Sequence, residues 1–211
     1  MRDMHGRTRT RYSSIAIILH WLIALGIVLM IPLGWWMSDH VTDPSQAARV
    51  FRAYQLHKSI GLTILVLSVA RLLWRLTHRF PELPQHMPLW ERAAARISHV
   101  LLYAIILIMP LTGWLYVSAG WNPHMNIPFP VPTLWFGLFQ WPHLPGIAEA
   151  SDTVRAQTAS TAIAIHSTLA WGAVVLVAIH SAAALKHHII DRDDVLTRMV
   201  PLLRPRAQLE Q

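Results

Sequence analysis

Three stretches of this chain, 12–38, 97–120 and 156–185, each run for more than twenty residues without one charged side chain. Crossing a hydrocarbon layer takes roughly 20 residues of helix, and inside it every backbone N–H and C=O must be paired within the protein. These lengths predict helical spans. A fourth apolar stretch, 59–70, is shorter, and it reaches spanning length only if Arg71 and Arg75 snorkel or find partners; otherwise it is a re-entrant or interfacial helix. The expectation is a single all-α integral membrane domain covering 1–211, a four-helix transmembrane bundle with spans at about 13–37, 57–77, 97–119 and 160–186. The first span is too long for a removable signal peptide and lacks a small-x-small cleavage site.

Basic residues in the flanks orient the bundle. Arg2, Arg7, Arg9 and Arg11 precede the first span, Arg75, Arg79, Arg92 and Arg96 lie between the second and third, and Lys186, Arg192, Arg198, Arg204 and Arg206 follow the fourth. The other two loops carry fewer cations (Arg49, Arg52, Lys58 and Arg155), offset by acids. Both termini are therefore expected in the cytoplasm. The net charge of +7 is read as these loops meeting lipid head groups, with no nucleic-acid partner. Between spans three and four, PTLWFGLFQWPHLPG mixes Trp135, Phe136, Phe139 and Trp141 with prolines. That composition suits the membrane interface, and the loop is expected to cap the outer end.

There is no cysteine, which excludes disulfides, iron–sulfur clusters and covalent haem attachment, and leaves histidine, at 13 copies, as the abundant strong metal ligand. His166 and His180 lie fourteen residues apart on the fourth span. Helical geometry separates them by ~21 Å along the axis and only ~40° in azimuth. One face thus carries two imidazoles, one per leaflet, and an imidazole in hydrocarbon needs something to bind it. Sorted by depth, His57 matches His166 near the outer side, and His20 matches His180 near the inner side. Each pair can ligate one haem b iron at both axial positions, an arrangement that favours electron transfer because no position is left open.

A lone histidine near a helix end is ordinarily hydrogen-bonded at the interface; two depth-matched pairs point to metal. His99, at the start of the third span, is the rival ligand and is assigned a hydrogen-bonding or propionate-side role. His5, His40, His78, His86, His124 and His143 fall in loops or tails and are expected to be solvated. Gly61 and Gly172 would leave room for a porphyrin or serve helix packing, and Pro110 and Gly113 read as a kink. Arg71 follows His57 by fourteen residues, which places it level with the inner haem, where a guanidinium would anchor a propionate. The competing role is snorkelling beside Arg75.

The stretches ILHWLIALG, LHKSIGLTILVLSVARLLWRL, ISHVLLYAIILIMPLTGWL and the ending HSAAALKHH together resemble the bacterial cytochrome b561 family, which includes the b-type cytochrome subunits of nickel hydrogenases. The resemblance runs from about Arg11 to Pro201. It implies a bundle in the bacterial inner membrane holding two b haems on His20, His57, His166 and His180. Some members oxidise superoxide at the periplasmic face and pass the electron to ubiquinone. On that likeness Lys58, beside His57, would attract an anionic donor, and His187 would serve the quinone; each has a plainer role as an interfacial anchor or snorkelling group. The alternatives are a membrane-anchor subunit taking electrons from a redox partner protein, or a histidine-lined metal transporter.

Overall fold

A computed structural model describes residues 11–78, 80–81, 87–123, 125–200 and 203. His5, His86 and His124, and the basic residues Arg2, Arg7, Arg9, Arg79, Arg204 and Arg206, lie outside the described residues. Four long helices dominate: α1 (Ser14–His40), α2 (Ala47–Thr77), α3 (Leu89–Ala119) and α4 (Asp152–Ile189). Each is long and apolar enough to cross a membrane. Large apolar side chains such as Ile18, Leu25, Val66, Val100 and Trp171 are exposed on their outer faces. Around a soluble protein that would be a fault; here it is the lipid-facing surface.

The second span is a full crossing helix as the four-span expectation requires, not the re-entrant alternative, but α2 is one uninterrupted helix that begins at Ala47, well before the expected start near residue 57. Arg71 lies within it, bonded through Nε to the Tyr103 hydroxyl of α3 at 3.2 Å. A partner for the charge is what lets the helix continue. Helix ends follow local chemistry. The Ser13 hydroxyl caps α1 by accepting from the Ala16 N–H, and also accepts from Trp74 Nε1 at 3.0 Å, tying α1 to α2. Gly120 ends α3 at φ 56°, a left-handed conformation suited to glycine.

Helices α1 and α2, α2 and α3, and α3 and α4 run in close backbone contact. Small residues line these seams. A Cβ on Gly26 would come within 3.0 Å of the Ile64 side chain, and Gly61 and Gly172 face Met30 and Ile105, so both glycines serve helix packing. By contrast α4 meets α1 and α2 across side-chain rings: His20 with His180, Trp35 with Trp171 and His57 with His166. Helix α4 is therefore not in the close backbone contact with the α1–α2 pair that it has with α3.

The loop between α3 and α4 is more ordered than a composition reading suggests. It folds into two small antiparallel hairpins, β1 (Trp121–Asn122) with β2 (Ile127–Pro128), and β3 (Thr133–Trp135) with β4 (Phe139–Trp141). The second is bolted to α2: Gln55 Nε2 donates to Pro132 O, the Leu134 N–H to Gln55 Oε1, the Phe136 N–H to Ser59 Oγ, and Trp135 Nε1 to Thr63 Oγ1. At the other end the C-terminal segment folds back under the bundle, where Trp21 Nε1 donates to Met199 O at 2.8 Å and Arg11 to Leu203 O at 2.6 Å.

Candidate haem sites and inner-face cluster

Helix α4 holds His166 and His180 half-buried on its inward side, one near each end of the bundle. His166 faces His57 of α2 with ring centroids 6.1 Å apart at 61°, and His180 faces His20 of α1 at 6.2 Å and 67°. With a metal–nitrogen bond of about 2 Å on either side and the ring centre roughly 1 Å behind each nitrogen, two axial imidazoles stand about 6 Å apart. Both pairs match that spacing.

The His57–His166 pair is held by groups that spacing alone did not reveal. His166 Nδ1 lies 3.0 Å from Met109 O and 3.2 Å from Thr112 Oγ1, while the Thr112 hydroxyl donates to the same carbonyl at 2.7 Å. A carbonyl only accepts, so the proton sits on Nδ1 and Nε2 keeps its lone pair, the tautomer a metal ligand needs. Gly113 permits the approach, since a Cβ there would come within 3.2 Å of His166 Cε1. His57 Nδ1 is buried without a protein partner. The motif around His166 was present in the sequence as MPLTG, but only packing of α3 against α4 gives it meaning.

At the inner pair, His99 of α3 lies as close to His180 as His20 does, at 5.7 Å and 65°. Distance therefore does not choose between them. Beside these rings is a cavity of about 40 Å³ lined by Tyr12, Arg71, Trp74, Arg75, His99 and Tyr103. Arg71 spends Nε on Tyr103, and its other terminus carries an NH1 that is buried and unpartnered. Arg75 lies over the Tyr103 and Phe80 rings, 5.3 and 5.0 Å from their centroids.

His187 is enclosed by carboxylates. Its Nδ1 lies 2.7 Å from Asp193 Oδ2 and 3.0 Å from Asp191 Oδ2, and its Nε2 lies 3.8 Å from Glu91 Oε2. Lys186 bonds two of these acids, Glu91 at 2.7 Å and Asp191 at 2.8 Å. Glu91, His187 and Asp191 have ligand atoms close enough to hold a metal ion, yet the lysine ammonium already sits on both carboxylates. Sequence reasoning found His187 and missed Glu91 and Asp193, which come from α3 and the folded-back tail.

Lys58 does not project freely. Its Nζ donates to Pro132 O at 2.8 Å. His143 was expected to be solvated and is not: it is half-buried and its Nε2 is sealed from solvent. Burial, reinforced by the Lys58 charge, holds its imidazole below the usual histidine range.

Residues 11–202 match the family model described as prokaryotic cytochrome b561. The chain is 37% identical over 195 residues to cytochrome b561 homolog 2 of Escherichia coli K12, covering 92% of this chain and 93% of that protein. It is 26% identical over 198 residues to cytochrome b561 homolog 1 of the same organism, covering 90% and 97%. It is also 28% identical over 200 residues to a Yersinia pestis protein described as probable superoxide oxidase CybB, covering 92% and 98%. Four membrane-crossing helices and these matches make it a multi-pass protein of the bacterial inner membrane, with b-type haem as the implied cofactor. The chain belongs to the prokaryotic cytochrome b561 family.

Proposed function

We propose that this chain is a di-haem cytochrome that carries electrons from periplasmic superoxide to ubiquinone, with both termini in the cytoplasm. The observation that carries the reading is the repetition on α4 of one geometry, an imidazole facing another across about 6 Å, near each end of the bundle. Haem iron, when bound, supplies a one-electron couple at each level. His57 and His166 would hold the outer group, and His20 and His180 the inner one.

His20 is preferred to His99 on packing grounds. A flat macrocycle needs room between the helices that ligate it, and α3 and α4 lie in close backbone contact whereas α1 and α4 do not. His99 is left to line the cavity with Arg71 and Arg75. The orientation is supported by the gathering of Arg71, Arg75, Arg92, Arg96, Lys186 and Arg192 toward one end. The other end carries fewer, Arg49, Arg52, Lys58 and Arg155, and of these Lys58 is spent on Pro132 O and Arg155 on the carbonyls of Ala119 and Gly120 at the end of α3.

Two superoxide ions each lose one electron to give dioxygen, and one quinone takes up two electrons and two protons. The outer end offers Lys58 to an anion, and the inner end offers His187 as a proton carrier. Asp193, whose side chain is 5% exposed, holds the His187 ring by its Nδ1–H and leaves Nε2 on the other side. His187→Ala is expected to slow quinone reduction by about 100-fold with both haems retained. Asp193→Asn should slow it in the same direction, by less. Stopped-flow quinone reduction, alongside haem content, checks both; wild-type rates in His187→Ala would remove that residue from the quinone site.

Thr112→Val tests how the outer ligand is oriented. Loss of the hydroxyl leaves Met109 O as the remaining partner of His166, so haem affinity at the outer site should fall about 10-fold. Haem titration of the apoprotein reads this directly.

The whole reading is tested by a reduced-minus-oxidised spectrum of purified protein with a haem-to-chain ratio, followed by superoxide-driven quinone reduction with no partner present. Two b haems and turnover support it. Two haems without turnover would favour a membrane-anchor subunit fed by a dehydrogenase or hydrogenase, and absence of haem would leave the metal transporter.

A further inference from the structure

We propose that the inward face of the β3–β4 hairpin, together with Lys58, is an oxyanion-binding site at the outer end of the bundle, with Thr133, Trp141 and His143 as its other members. The strand register pairs Thr133 with Trp141, and directly opposed residues of an antiparallel pair project to the same face. His143 follows two residues beyond Trp141. Each of the three has a polar atom that is buried and has no protein partner: Thr133 Oγ1, Trp141 Nε1 and His143 Nε2. Thr133 is only 1% exposed.

Buried polar atoms are ordinarily paired, and three orphans on one short hairpin and the residues just after it call for a common explanation. Their chemistry is one-sided. An indole N–H can only donate, a hydroxyl can donate, a neutral imidazole has one N–H to give, and the Lys58 ammonium has three hydrogens of which Pro132 O takes one. No Asp or Glu occurs between residues 127 and 148. A donor-rich, acid-free face with unpaired buried donors is matched by an acceptor that is itself negatively charged.

This face is also turned toward the bundle. Trp135, on the same face as Thr133, donates to Thr63 of α2 at 3.2 Å, and Trp141 packs edge-on against Trp114 of α3 at 6.2 Å. The hairpin thus closes the bundle between α2 and α3, next to the helix that carries His57. Lys58, one residue on from His57, is near enough to His143 to act on it electrostatically.

Two oxyanions fit this chemistry, a propionate of the outer haem and a small free anion such as superoxide. The inference rests on the di-haem reading above for the first of these. The experiment compares wild type with Thr133→Val, which is close to isosteric, Trp141→Phe, which removes the N–H and keeps an aromatic ring, and the double variant, all full-length in nanodiscs. It measures haem content, the midpoint potential of each haem, and the rates of haem reduction by superoxide and by a neutral quinol. A lowered potential or selective loss of the outer haem, with the inner one unchanged, identifies the propionate. Unchanged potentials with superoxide reduction slowed at least 10-fold, and quinol reduction unaffected, identify the free anion. If the double variant matches wild type in all four measurements, the face holds water only and the proposal is wrong. The di-haem reading is judged separately, on the haem content of the wild-type protein.

Discussion

Replacing His166 or His57 by alanine is expected to remove the same haem, and replacing His20 or His180 to remove the other. A low-spin six-coordinate iron needs both axial nitrogens, and the two rings that face each other at 6.1 Å belong to α2 and α4, whereas those at 6.2 Å belong to α1 and α4. Loss of either ring would leave the site one ligand short, so that haem would be held weakly there or not at all. The survivor keeps its own pair, about 21 Å away along α4. Haem content should therefore fall by half or one α-band should vanish, and within each pair the two variants should look alike in low-temperature spectra and redox titration. His99→Ala is the discriminating control. Although its ring lies 5.7 Å from His180, α3 and α4 are too closely packed to admit a macrocycle between them, so both haems should survive. Loss of the inner haem in His99→Ala with retention in His20→Ala would reassign the ligand. Matching damage from His20→Ala and His166→Ala would break the depth pairing altogether.

Arg71→Leu should lower the potential, or the retention, of the inner haem alone. Arg71 is half-buried within α2, uses Nε on Tyr103, and keeps an unpartnered NH1 beside a cavity also lined by Arg75 and His99. A half-buried guanidinium with spare donors is suited to a carboxylate, and a propionate of the proposed inner haem would supply one at this depth. A unit charge about 10 Å from a redox centre, at an effective dielectric near 20, is worth about 1–2 kcal/mol, or roughly 50–80 mV for a one-electron couple. The sign follows from charge: a nearby cation stabilises the reduced form, so its removal lowers the potential. Arg71→Lys should recover part of the shift, since the charge returns without the forked geometry. Wild-type occupancy and potential in Arg71→Leu would reduce Arg71 to a structural arginine bonded to Tyr103.

The four spans were legible because water and hydrocarbon impose a length and a composition that any crossing helix must show. Depth pairing was legible for a related reason: once helices are known to run antiparallel across a layer, rise per residue converts sequence position into height, and His20, His57, His166 and His180 can be ranked. The start of α2 was not legible. Arg49 and Arg52 break the apolar pattern there, and the helix continues because its outer turns are bonded to the β3–β4 hairpin through Gln55, Ser59 and Thr63. The enclosure of His187 was hidden for another reason. Glu91 is 96 positions away from it in the chain, and Asp193 reaches it only because the tail reverses direction.

By itself the sequence determined the layer each residue occupies: the solvent in which each segment is stable, the number of crossings, and the level of each imidazole. Those follow from local composition and helical rise, which do not depend on neighbours. Only the tertiary structure decided who faces whom. It set His166 against Met109 and Thr112, brought His99 as near to His180 as His20 is, put Arg71 on Tyr103, and turned Thr133 and Trp141 to one face of a hairpin. Azimuth between helices is fixed by packing of small residues such as Gly26 and Gly113 against particular partners, and that information is spread over positions far apart in the chain.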